Sequence, residues 1–76
     1  MGGVPIPKPS FLDRCTYLGY REGNRLWRDK HGALYTWNGL HGEIEMFNSR
    51  GEHLAVLDAI TGHRIKPPRK GRRIGV

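Results

Sequence analysis

The sequence predicts a mainly β fold: one strongly twisted antiparallel sheet of four to six strands, with a short N-terminal segment and a basic C-terminal tail. Three observations predict it. Short apolar or aromatic runs recur about every ten residues from Thr16 onward, most connections contain glycine, and no window sustains a helical period. Chain length limits this to a single domain with a thin core, since 37% of the 76 residues are apolar. Its expected parts are an N-terminal segment over 1–15, the sheet over 16–66 and the tail over 67–76.

The elements follow in order. "VPIPKP" is stiff and extended, because each proline fixes its own φ and discourages helix in the residue before it. Ser10 and Asp13 have the spacing of a helix start, which predicts one turn over Phe11 to Cys15. "TYLGY", "RLW", "ALYTW", "EIEMF", "HLAVL" and "HRIK" then read as strands, separated by "REGN", "RDKHG", "NGLHG", "NSRG" and "DAITG". Strand alternation in "EIEMF" puts Ile44 and Met46 on a core face with Trp37, Leu54, Val56 and Leu57. Glu43 and Glu45 then share the opposite face, roughly 7 Å apart by the strand rise. His41 joins them if the chain stays extended through Gly42.

Several classes drop out. Cys15 is the only cysteine, so the sequence offers no intramolecular disulfide and no thiolate zinc site; an idle thiol is the expectation. His31, His41, His53 and His63 are ten or more residues apart and lack the close ligand pairs of a familiar metal site. No stretch approaches the ~20 apolar residues that span a bilayer, and "MGGVPIPKPS" lacks the pattern of a secretory signal.

The formal charge of +6 asks for a polyanionic partner. From Ala59 to Val76 there is no acid, while Arg64, Lys66, Arg69, Lys70, Arg72 and Arg73 supply six cations. Such a run is either a solvated tail or a phosphate-binding strip. Beside it, "TWNGLHGEIEMF" gathers Asn38, His41, Glu43 and Glu45, and pairing across "NSRG" brings His53 near Glu45. Each polar group alone reads as strand surface. Together an acid, a base and a cation near phosphate are the minimum for RNA cleavage by transesterification, a route that requires no metal.

"RLWRDKHGALYTWNGLHGEIEMFNSRGEHLAVLDAITGHRIK" followed by "RRI" resembles the cytotoxic ribonuclease domain of cloacin and the ribosome-inactivating nuclease colicins, with related pyocin and contact-dependent inhibition toxins. The resemblance covers about residues 25 to 74. It rests on W-[DN]-x-x-H-G-E-[LI]-E, a downstream G-x-H-L, D-x-x-T-G and a basic end with R-x-I. It implies that His41 and Glu45 are the catalytic histidine and glutamate, that His53 is a second active-site histidine and that Arg72 faces the phosphate. Glu45 would be the general base and His41 the general acid. Glu43, Lys66, Arg69, Lys70 and Arg73 would line the RNA path.

Asn38 stands where the family has a catalytic aspartate. An inactivating change, a branch with another substrate and a purely orienting role all fit the sequence. The resemblance further implies a metal-independent endoribonuclease, without cofactor, that cuts small-subunit ribosomal RNA at the decoding site. It implies a secreted or delivered bacterial toxin acting in the target-cell cytoplasm, partnered by the ribosome and an acidic immunity protein, and a monomer as an isolated domain. A transfer-RNA-cutting toxin of the same fold and a noncatalytic RNA-binding β module are the alternatives.

Overall fold

The computed structural model describes residues 3–75; Met1, Gly2 and Val76, which end the predicted N-terminal segment and tail, lie outside the described residues. Among these, Thr16–Arg21 (β1), Asn24–Arg28 (β2), Leu34–Asn38 (β3), Glu43–Phe47 (β4), His53–Leu57 (β5) and Arg64–Lys66 (β6) form one antiparallel sheet. Its strand order is the chain order, an open meander as the turn spacing predicts. The β1–β2 connection is the tight pair Glu22–Gly23, both at positive φ (55° and 80°). That left-handed pair matches the twist of a two-residue hairpin, which glycine adopts freely and glutamate only at some strain.

One face of the sheet is the main core. Trp27, Tyr35, Ile44, Ala55 and Leu57 pack there with Leu12, and Ile6, Phe11 and Trp37 close its rim. Leu12 belongs to a single 3₁₀ turn over Phe11–Arg14. Its capping box is formed: Leu12 N–H donates to the Ser10 hydroxyl, and Ser10 N–H donates to the Asp13 carboxylate.

The other face is covered as well. Leu26, Leu34 and Phe47 form a second, smaller cluster, capped by Ile74 from the C-terminal tail. The tail is therefore docked through Ile74 and its backbone, while its other described residues stay exposed. His53 N–H donates to the Arg72 carbonyl (3.1 Å), Ile74 N–H donates to the Gly51 carbonyl (2.9 Å), and Glu52 bridges Arg73.

Register corrects two expectations. Val56 pairs with Glu45, so it lies on the second face rather than in the core with Ile44. Between β4 and β5 one step from Met46 to Phe47 is matched by two from Ala55 to His53, which leaves Leu54 as a bulge. Leu54 is only half-buried, and Met46 and Trp37 are partly buried at the edge of the core. A strict two-residue period carried through Leu54 would place His53 on the core face. The bulge reverses it, because one unpaired residue flips every side chain beyond it.

Candidate active site

Strands β3 to β6 align Thr36, Glu45, Val56 and Lys66 in one cross-strand row on the second face. Glu45 sits in the middle of that row, only 5% exposed. A carboxylate this buried needs partners, and three surround it. His53 Nε2 is 2.8 Å from Oε1, Arg72 Nε is 3.4 Å from the same oxygen, and Asn38 Nδ2 donates to Oε2 at 3.3 Å. The oxygen lies off the direction of the ring N–H, so the His53 contact is a close electrostatic pair rather than an aligned hydrogen bond.

His53 is held from its other side. Its Nδ1 accepts the backbone N–H of Arg69 at 2.9 Å, and its ring meets Phe47 edge-on at 5.3 Å. A nitrogen that accepts carries no proton, so the neutral ring carries its proton on Nε2, the nitrogen nearer Glu45. Tail docking supplies Arg72 by alternation: Arg72 and Ile74 point to the sheet, one to Glu45 and the other to the apolar cluster. Arg73 points away and donates to the Arg50 carbonyl.

His41 is not part of an extended strand, as the even spacing through Gly42 suggests. Residues 39–42 form a turn closed by Gly42 N–H donating to the Asn38 carbonyl (2.8 Å), with Gly42 at φ 69°. The turn folds the imidazole back on Asn38, whose Nδ2 is 3.2 Å from His41 Nδ1. The N-terminal segment braces this turn. Val4 N–H donates to the Gly39 carbonyl (2.6 Å), and Trp37 Nε1–H donates to the Val4 carbonyl (3.0 Å).

These groups line a cleft of about 380 Å³, walled by Lys66, Pro67, Pro68 and Arg69 and by Glu43 and Val56. Lys66 Nζ lies 3.2 Å from Glu43. That pair is half in solvent and adds little stability, but it occupies one cation at the mouth. Lys70 and Arg73 line an adjoining cleft with Arg69 and Arg72. Thus Asn38, His41, Glu45, His53 and Arg72 converge, Glu43, Lys66 and Arg69 flank them, and Lys70 and Arg73 stand one step away.

Sequence reading missed the Arg69 amide and Val56. A backbone donor has no residue signature, although the rigid Pro67-Pro68 pair before it is a cue. His31 lies in the β2–β3 turn and His63 just before β6, outside the cleft. Among the described residues no group of three or more His, Cys, Asp or Glu has the arrangement to hold a metal ion, and no helix is long and apolar enough to cross a membrane. Cys15 is away from the cleft as well. Burial, with the Asp29 charge adding, pushes its thiol up to about 11, so it is protonated and unreactive at neutral pH.

Comparison with known proteins bears on the same residues. The family model described as "Cytotoxic" matches residues 18–75, which include every strand but the first two residues of β1. The chain belongs to the cytotoxic family, the ribonuclease domains of the colicin E3 type. This cytotoxic domain is 40% identical to colicin E3 of Escherichia coli over 73 residues, 95% of the chain and 13% of that relative. It is 41% identical to cloacin of Escherichia coli over 51 residues, 66% of the chain and 9% of cloacin. Colicin-E6 of Escherichia coli matches at 37% over 51 residues, again 66% of the chain and 9% of the relative. The domain thus spans a small fraction of the length of these relatives.

Proposed function

We propose that the cytotoxic domain is an endoribonuclease that cuts small-subunit ribosomal RNA at the decoding site. The observation that supports it best is the single amide of Asn38 joining His41 to Glu45 beside Arg72, in a cleft with basic walls. Glu45 takes the proton of a ribose 2′-OH, and O2′ attacks the adjacent phosphorus. The bond from phosphorus to O5′ breaks, His41 protonates the leaving oxygen, and a 2′,3′-cyclic phosphate remains. Arg72 neutralises charge on the non-bridging oxygens. His53 acts through Glu45, holding the carboxylate in place from a ring anchored on the Arg69 amide.

Arg69, Lys70 and Arg73, with Lys66 at the mouth, hold the RNA backbone. A domain this small recognises a folded RNA site by shape and charge more than by long sequence. In the same reading the domain is the toxic end of a longer secreted bacterial protein, acts in the cytoplasm of a target cell, and is neutralised by an acidic immunity protein drawn to its positive charge.

The test is to add the purified domain to ribosomes and, separately, to total transfer RNA, and to map new ends. One cut in small-subunit ribosomal RNA with a cyclic phosphate end is expected. Cuts in transfer RNA alone would overturn the ribosomal target. On a short RNA oligonucleotide the activity should persist in excess EDTA; activity lost there and restored by Zn²⁺ or Mg²⁺ would sink the metal-free route.

A further inference from the structure

Asn38 makes four contacts, and together they leave one orientation for its amide. Its Oδ1 accepts the backbone N–H groups of Leu40 (3.1 Å) and His41 (3.3 Å). Backbone N–H groups only donate, so the oxygen must face them and the NH₂ must face away. Nδ2 therefore points at His41 Nδ1 (3.2 Å) and Glu45 Oε2 (3.3 Å). It carries two hydrogens, and each has one acceptor.

An imidazole nitrogen that meets an N–H donor must present its lone pair. Among the described residues nothing hydrogen-bonds to the other ring nitrogen, Nε2, which is directed away from Asn38. We propose that Asn38 is a positioning residue that holds neutral His41 as the Nε2–H tautomer while giving Glu45 an uncharged donor. The tautomer assignment stands on geometry alone, whereas its catalytic meaning rests on the ribonuclease reading above.

An aspartate in the same place would reverse both effects. An oxygen facing Nδ1 would accept and draw the ring proton there. The same oxygen would stand against the Glu45 carboxylate at the distance where Nδ2 now donates, and two like charges that close are unfavourable. Asn38 thus keeps Glu45 free of a competing acid and leaves Nε2 open to a bound substrate. To protonate a leaving oxygen His41 must first become the imidazolium, which gives up its Nε2 proton and keeps the one on Nδ1. Protonating Nδ1 would set two donors face to face, so the imidazolium requires the amide to let go.

Long-range ¹H–¹⁵N correlation spectra of His41 read the tautomer directly, at a pH where the ring is neutral. The wild-type domain should show Nδ1 as the acceptor and Nε2 as the protonated nitrogen. A free imidazole already leans toward that form, so the variants decide. Asn38→Asp should move the proton to Nδ1, and Asn38→Ala should give the averaged shifts of a tautomer mixture. A protonated Nδ1 in wild type, or an Asn38→Ala spectrum unchanged from it, would overturn the proposal; the alanine variant keeps the test alive if the aspartate variant does not fold. On RNA, Asn38→Ala should lower kcat by about ten- to a hundred-fold with KM unchanged, the cost of a misplaced acid–base pair. A domain that shows the expected tautomers but cuts no RNA overturns the ribonuclease reading and leaves the tautomer assignment in place.

Discussion

Glu45 is almost out of reach of solvent, yet each polar side chain that touches it is a donor or a cation: Asn38, His53 and Arg72. An interior acid used only for structure would need one well-aligned partner; this one has three, and one side of it opens on the cleft. The surplus suits the proposed general base, a carboxylate that must take up and release a proton without leaving its place. His41→Ala and Glu45→Gln should each lower RNA cleavage by about 10² to 10⁴-fold. Glutamine keeps the shape at position 45, and His41 is exposed, so circular dichroism and RNA affinity should change little in either variant. Wild-type cleavage rates from both would remove the acid and base roles together.

The β2–β3 connection is the element whose electrostatics are most sharply defined. The carboxylate of Asp29 accepts His31 N–H (2.9 Å) and Ala33 N–H (3.0 Å) through Oδ1, and the Tyr35 hydroxyl (2.7 Å) through Oδ2. Burial works to raise the Asp29 carboxyl, but the Tyr35 hydroxyl, the two amides and the nearby His31 outweigh it and hold it below its usual value. The sign follows. A carboxyl whose folded value lies below its unfolded one stabilises the fold above the unfolded value, and that contribution fades as pH falls through the folded one. Asp29→Asn should cost about 1 to 2 kcal/mol at neutral pH, the scale of hydrogen bonds to a charged group discounted for partial exposure. Urea unfolding from pH 7 downward should show the gap from wild type closing below about pH 4. A gap independent of pH would mean that the turn needs the shape of Asp29 and not its charge.

At the scale of the whole molecule, the sheet has a core on each face, and each is closed by one end of the chain. Residues Ile6, Phe11 and Leu12 cover the first face, and Ile74 covers the second. Ile74 lies two residues beyond Arg72, so the plug that completes the smaller core also sets the cation beside Glu45. Under the proposed mechanism folding and catalysis are coupled there. Ile74→Ala should lower stability by about 1 to 3 kcal/mol, less than a fully buried isoleucine because the side chain is partly exposed. It should also lower kcat, since Arg72 loses its anchor. Stability by urea titration and kcat on a short RNA should fall together; a stability loss with unchanged kcat would show that Arg72 is held by Glu45 alone.

The sequence by itself determined a sheet of four to six strands, its glycine turns and a capped turn after Ser10, and it named the polar residues that converge on the cleft, because these depend on local rules. Apolar runs between glycine turns make strands, Ser10 and Asp13 make a cap, and the motif from Trp37 to Glu45 carries its own spacing. Tertiary structure decided the register and the contacts that alternation does not reach. The Leu54 bulge turns His53 from the core face to Glu45, and the paired register moves Val56 to the cleft. Docking of Ile74 converts a run of cations into one arginine at the carboxylate. Asn38 shows the limit most clearly. As a letter it fits three readings, and only the backbone N–H groups of Leu40 and His41 orient its amide. Alternation and charge propagate along the chain, but a bulge, a docked tail and an amide's direction are set by contacts between residues far apart or by backbone atoms that every residue shares.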